Sequence, residues 1–259
     1  MQNDVLLTAR EGDVVTLTLN RPEKRNAMTI PMLTALRDAF RELAAAENVR
    51  VVMLTGAGKA FCSGLDLKEM GLARRDDGSV EYPDIEDALH ELEHCPLPTI
   101  ATIQGDAIAG GLELALHCDL RVAGTSARMG MPLARIGLVV PYALTQKLLD
   151  TVGTATTKEL LFTGAMLDAE SARRAGLVTR VVADADLAAT TRALAAEIAA
   201  NAPLSIRTMK AAINEANAFR SLTASPALAA QAATTRKSDD LQEGLRAVFE
   251  RRRPVFRGR

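Results

Sequence analysis

Two segments of this 259-residue chain carry small and polar residues in an order suited to catalysis by backbone amides. The first is Lys59-Ala60-Phe61-Cys62-Ser63-Gly64-Leu65-Asp66-Leu67-Lys68-Glu69-Met70. The second is Ile103-Gln104-Gly105-Asp106-Ala107-Ile108-Ala109-Gly110-Gly111-Leu112-Glu113-Leu114-Ala115, followed by His117-Cys118-Asp119. In each, a strand-like stretch passes through small residues into a helix start, which leaves backbone N–H groups without intrahelical partners. Two such starts aimed at one point form an anion hole, and the helix dipoles add to it. The same glycines also serve plain tight turns. The residues alone leave both readings open.

Other patterns suggest chemistry and are weaker. His90-Glu91-Leu92-Glu93-His94 has two histidines four apart, spacing that can chelate zinc on one helix face with the intervening Glu as base; Glu113 would be a third ligand. Against this, the helix stops at Cys95-Pro96, and its apolar face of Ile85, Leu89 and Leu92 leaves the histidines on the polar side. The expectation is a solvated helix face. Cys62-Ser63 and His117-Cys118 suggest a nucleophile, but no Gly-Xaa-Ser-Xaa-Gly elbow accompanies them, and a lone cysteine usually behaves as a small buried hydrophobe. Gly56-Ala57-Gly58-Lys59 lacks the earlier glycine of a P-loop, with Ala60 where Ser or Thr would bind magnesium. It also has Phe61 where a dinucleotide fingerprint needs glycine.

The elements that must position these residues follow from periodicity. Val5–Ala9 and Val14–Leu19 flank Glu11-Gly12-Asp13 and read as a hairpin. Leu33, Leu36, Phe40 and Leu43 recur at helical spacing behind a Thr29 cap and Pro31. Val51-Val52-Met53-Leu54 reads as a strand buried on both faces. Then follow a helix over Asp84–His94, a strand at Thr99–Ile103, a helix from near Leu112 and a strand at Leu120–Ala123. A helix around Asp168–Ala175 precedes a strand at Val178–Val182. Beyond lie helices over Ala183–Ala200, Leu204–Ala218 and Asp239–Arg252. Strand–helix alternation predicts an α/β fold with parallel strands over residues 1–190. Residues 191–259 read as a helical C-terminal region whose apolar faces cover the core or a neighbouring subunit.

Composition narrows the function classes. Lys plus Arg number 31 against 32 Asp plus Glu, for a net charge of −1, and six Phe, two Tyr and no Trp leave little for stacking bases. Nucleic acid is not an expected partner. Three cysteines do not make a disulfide framework and fit a reducing compartment. No uncharged apolar run reaches 18 residues, and the N-terminus has no signal-peptide pattern. A cytoplasmic protein with no membrane partner is expected.

The two glycine segments resemble the crotonase superfamily, that of enoyl-CoA hydratases and isomerases. The resemblance begins at Leu19-Asn20-Arg21-Pro22-Glu23-Lys24-Arg25-Asn26-Ala27-Met28 and runs through both segments. It continues at Met131-Pro132 to Gly137, Leu161-Phe162-Thr163-Gly164 and Ala172 to Val178, and ends at Glu243-Gly244 to Pro254. It implies a ββα-superhelix core, a helical C-terminal trimerisation region, and a homotrimer or dimer of trimers. It implies an acyl-CoA thioester substrate and no cofactor beyond that CoA. The Leu65 and Gly110 amides would form the oxyanion hole, and Lys24, Arg25, Ala27, Ser63, Asp66, Leu67 and Lys68 lie in the stretches that hold CoA, with Arg25 and Lys68 near phosphates. The tail Arg251-Arg252-Arg253 would reach a neighbour's CoA or stand solvated.

Glu113 falls on the first of the two glutamates that handle protons in the hydratases. Leu133 occupies the position of the second and cannot carry a proton. The same gap removes the usual Δ3,Δ2-isomerase reading, and Pro141 removes the dehalogenase reading. The expectation is therefore an enoyl-CoA hydratase-like enzyme with Glu113 as its acid/base and Leu133 as an apolar wall of the substrate site. The alternatives are a catalytically weak acyl-CoA binding protein or a crotonase-family decarboxylase, and more remotely a zinc hydrolase on His90, His94 and Glu113.

Overall fold

The computed structural model describes residues 5–68, 85–218 and 226–257. Glu69 and Met70 of the first glycine segment, and Asp84 at the expected helix start, lie outside the described residues. The hairpin forms as β1 (Leu6–Glu11) and β2 (Val14–Leu19), paired antiparallel from Leu6 opposite Leu19 to Glu11 opposite Val14. Helix α1 (Ile30–Ala44) starts where Thr29 accepts a hydrogen bond from the Met32 amide at 3.4 Å. Its Leu33, Leu36, Phe40 and Leu43 are buried.

Strand β3 (Val51–Gly56) explains its continuous apolar run. Val52 and Leu54 enter the main core, whereas Val51 and Met53 enter a second core on the opposite face. Helix α2 (Glu86–His94) and strand β4 (Thr99–Ile103) follow, and β4 is buried along its whole length. A two-residue strand β5 (Ala107–Ile108) leads into α3 (Gly110–His117). This helix begins two residues before the expected Leu112. Glycine disfavours helix interiors, but at Gly111 a side chain would collide with the Cys62 carbonyl, so packing sets the choice.

Strands β6 (Leu120–Gly124) and β7 (Arg128–Gly130) precede α4 (Tyr142–Thr163), a helix that the periodicity did not predict. It is broken at Gly153, with φ 72° and ψ 171°, and is rich in β-branched residues, both of which mask a helical pattern. Strand β8 (Met166–Asp168), helix α5 (Ala169–Arg174) and strand β9 (Arg180–Val182) complete the alternating part. Val178 is buried but precedes β9.

The main sheet runs β1-β2-β3-β4-β6-β9, parallel except for the edge hairpin. A second sheet, β5-β7-β8, was not predicted, because strands of two or three residues are too short to show alternation.

Helix α6 (Leu187–Ala199) spans residue 190 and covers the outer sheet face, where Leu187, Leu194 and Ala195 meet Val51, Met53, Ile100 and Val122. It starts later than the expected Ala183 because a 3-10 turn at Asp184–Asp186 comes first. There the Asp184 carboxylate accepts the Ser126 amide at 3.0 Å. Helices α7 (Pro203–Ala218), α8 (Pro226–Arg236) and α9 (Asp239–Phe249) end the chain. Helix α8 was unpredicted, as its eleven residues hold five alanines and a single leucine, too little for an apolar period. Lys210 of α7 is buried, donating to the Asp119 carboxylate at 2.7 Å and the Leu97 carbonyl at 3.0 Å. Among the described residues no helix is long and apolar enough to cross a membrane.

Candidate active site

Backbone hydrogen bonds bring the two glycine segments side by side. The Cys62 amide donates to the Asp106 carbonyl at 3.1 Å, and the Ile108 amide donates back to the Cys62 carbonyl at 3.0 Å. On the far side, the Met28 amide donates to the Gly64 carbonyl and the Asp66 amide to the Met28 carbonyl, each at 2.8 Å. The 26–28 and 62–66 stretches thus extend the second sheet beyond β5.

Gly64 brings the first segment against the start of α3. Its φ of 94° excludes ordinary side chains, and a methyl there would stand 3.2 Å from the Gly110 nitrogen. That closeness places the next amide, Leu65, beside the first amide of α3. Among the described residues neither the Leu65 nor the Gly110 N–H donates a hydrogen bond. The turn that aims Gly110 is strained: Ala109, a non-glycine, has φ 52° and ψ −122°, held by its amide donating to Gly130 at 2.9 Å.

Glu113 sits on the first turn of α3, its amide bonded to the Ala109 carbonyl at 3.0 Å. It is 8% exposed, and among the described residues its carboxyl makes no hydrogen bond or ion pair. Burial pushes that carboxyl up to about 7, reinforced by Glu86 and opposed by Lys147. A carboxyl with this titration both gives and takes a proton near neutral pH. Leu133 is half-buried in the 3-10 turn Pro132–Ile136 and packs on the main core. No carboxylate stands at its position.

The expected CoA-holding stretches are adjacent. The Ser63 amide donates to the Arg25 carbonyl at 3.1 Å, and the Ser63 hydroxyl to the Lys24 carbonyl at 3.5 Å. Lys24, Arg25 and Lys68 are exposed, with no ion-pair partner among the described residues. The Asp66 side chain is instead committed to structure: it pairs with Arg21 at 3.1 Å and accepts the Lys68 amide at 3.1 Å. Ala27 and Leu67 are half-buried, and the Ala27 carbonyl accepts from Arg21 at 2.6 Å. In the basic tail, Arg252 is held by Glu243 and Glu250.

Two positioning residues escaped the sequence reading. Buried Asn26, at φ 55°, donates to the carbonyls of Ala57, Ala60 and Phe61, and its oxygen accepts the Arg21 amide. Gln104 donates to the carbonyls of Gly56 at 2.5 Å and Ala60 at 2.8 Å. A polar residue directly after a fully buried strand was the available signal for Gln104.

The zinc and nucleophile readings fail. His90 and His94 are exposed and stack on one another with centroids 4.0 Å apart, while Glu113 is buried on a different helix. Among the described residues no group of three His, Cys, Asp or Glu could hold a metal ion. All three cysteines are free and buried, and burial pushes the Cys62 and Cys118 thiols up to about 12, far from the reactive thiolate.

A family model described as enoyl-CoA hydratase/isomerase matches residues 9–259. The chain belongs to that family. Similar hydratase/isomerase-family proteins include YngF of Bacillus subtilis (strain 168), 38% identical with all of both chains covered. The short-chain-enoyl-CoA hydratase of Clostridium acetobutylicum is 36% identical, covering 82% of this chain and 81% of its own. A solved enoyl-CoA hydratase/carnithine racemase from Magnetospirillum magneticum superposes with a TM-score of 0.79 at 37% identity, covering 99% and 96%. A methylmalonyl-CoA decarboxylase structure, at 23% identity, shares the fold with a TM-score of 0.89 over both whole chains. The enoyl-CoA hydratase/isomerase fold, also known as the crotonase fold, is therefore the architecture described above.

Proposed function

We propose that this protein is an enzyme acting on an acyl-CoA thioester, in the manner of an enoyl-CoA hydratase. The observation that carries the reading is the pair of undonated amides, Leu65 and Gly110, brought together one helical turn from the buried, unpaired carboxyl of Glu113. Two N–H donors at the thioester oxygen stabilise the enolate that forms when water adds at Cβ, an interaction stronger in the transition state than in the substrate. Losing one such donor costs about 100- to 1,000-fold in rate. Glu113 takes the proton from water and returns one to Cα. The CoA lies along Lys24, Arg25, Ala27, Ser63, Asp66, Leu67 and Lys68, largely against backbone, with Arg25 and Lys68 toward its phosphates, and Leu133 lines the acyl side. No cofactor is required beyond the substrate's own CoA.

Leu133 favours a second reading. Loss of carbon dioxide from a malonyl-type thioester generates the same enolate without a base, and a single carboxyl group suffices to protonate it. A turnover panel of enoyl-CoAs and malonyl-type CoA esters separates the two. Hydration is expected, with Glu113→Gln abolishing nearly all of it while ester affinity stays within a few fold. Leu133→Glu, which restores a second carboxyl, is expected to raise hydration of a short enoyl-CoA about tenfold, below the full range of general acid–base help because the grafted group lacks supporting contacts. Hydration unaffected by Glu113→Gln overturns the assignment of that residue. Binding without turnover of any ester leaves an acyl-CoA binding protein.

A further inference from the structure

Two charged side chains that the reaction outlined above does not use, Glu86 and Lys147, act on the carboxyl of Glu113. On α2, Glu86 and Glu93 are seven residues apart and so share a face; on α3, Glu113 and His117 are four apart and share another. Lys147 comes in from α4 and is the one cation acting on Glu113 among the described residues. Its ammonium does not bond Glu113. It donates instead to Glu93 Oε1 at 2.8 Å. The other Glu93 oxygen stands 3.6 Å from His117 Nε2, and the Asn214 amide holds the Glu93 carbonyl at 3.0 Å.

We propose that Lys147, held against Glu93 instead of Glu113, is a positioning residue that sets the charge state of Glu113. The inference deepens the acyl-CoA reading of the same site and rests on it only for its kinetic arm.

The placement of the one Lys147 charge decides the state of Glu113. A lysine free to reach Glu113 would form a direct ion pair and lock it as an inert carboxylate. Pairing with Glu93 places a carboxylate beside the ammonium, so Glu113 experiences a largely neutralised dipole. Burial works against ionisation of Glu93, yet Lys147, joined by His117 and His94, holds that carboxyl below its usual range. His117 adds no opposing charge near neutral pH. Its Nδ1–H donates to the Glu113 carbonyl at 2.8 Å, and burial, then Lys147, push the ring down to about 4. Glu86 supplies a further negative charge toward Glu113, His94 faces Glu93 from α2, and Arg121 faces His117 from β6.

The test titrates Glu113 directly, by the infrared carboxyl band that Glu113→Gln removes, and in parallel by the pH profile of kcat/KM on a short enoyl-CoA. Lys147→Met is expected to move the Glu113 midpoint up and Glu93→Gln to move it down, each by at least about half a pH unit, or about threefold in the dissociation constant. Lys147→Arg should restore the wild-type midpoint, and the double variant should fall between the singles. A purely structural pair would shift neither midpoint in opposite directions. Midpoints that move together, or not at all, in folded variants overturn the proposal. Opposite infrared shifts without any enoyl-CoA turnover would sustain it and remove the hydratase reading instead.

Discussion

Ionising Glu113 in its buried place costs the fold stability. The unfolded chain releases this proton near 4.5, whereas burial holds it in the folded chain up to about 7. Between these values the folded state binds more protons than the unfolded state, so its stability falls as pH rises through the window and is flat above it. The deficit at pH 8 is on the order of 3 kcal/mol, because each pH unit is worth about 1.4 kcal/mol. Glutamine has the shape of the protonated acid and never ionises. Urea unfolding should therefore show Glu113→Gln more stable than wild type at pH 8 by roughly 1–3 kcal/mol, with the difference vanishing near pH 4. Equal stability at both pH values would mean that the side chain is better solvated than its 8% exposure indicates. Glu113 and both amides were legible in the sequence as members of recognisable segments. The Lys147–Glu93 pair was not, because its members come from helices 54 residues apart along the chain, and α4 was itself hidden.

At the scale of elements, the turn into α3 shows where local rules give way to the site. Long strands and amphipathic helices were readable because their periods persist over several residues: β2, β3, β4 and α1 all match expectation. The second sheet carries the Gly110 turn yet is built from strands of two or three residues, stabilised by neighbours distant in sequence. Its cost is concentrated at Ala109, whose φ of 52° and ψ of −122° suit glycine. Such strain costs about 1–3 kcal/mol. Ala109→Gly removes it and loses about 0.5–1 kcal/mol to the greater freedom of the unfolded chain. A net gain of about 1 kcal/mol is expected, which thermal unfolding would register as a rise of about 2–4 °C. Turnover should persist, since the bond from residue 109 to the Gly130 carbonyl is a backbone one. A fall in melting temperature would show that the methyl contributes packing that outweighs the strain.

For the whole molecule, the helical C-terminal region has one face committed and another uncovered. Ile206, Lys210 and Asn214 form the inward stripe of α7, with Lys210 buried on Asp119 and Asn214 bonded to Glu93. The adjacent stripe leaves Met209 54% and Ile213 61% exposed in the single chain, and Leu204 at the helix start is 78% exposed. Phe249 at the end of α9 and Val255 and Phe256 beyond it are also exposed. The segment carrying the last two is not loose: the Val255 amide donates to Glu243 at 2.9 Å and the Arg257 amide to Asp240 at 2.6 Å. Ordered apolar side chains facing water call for a partner surface, since burying a Leu, Met, Ile or Phe contributes about 1.5–3 kcal/mol. We expect a homotrimer or dimer of trimers that buries part of this region, with closed symmetry supplying identical copies of the interface. Light scattering should give a mass of three or six chains at micromolar concentration. Met209→Glu combined with Ile213→Glu should lower it, because the two charges would be desolvated at the interface. A monomer throughout that range, or a mass unchanged by the paired substitution, places the subunit contact elsewhere or removes it.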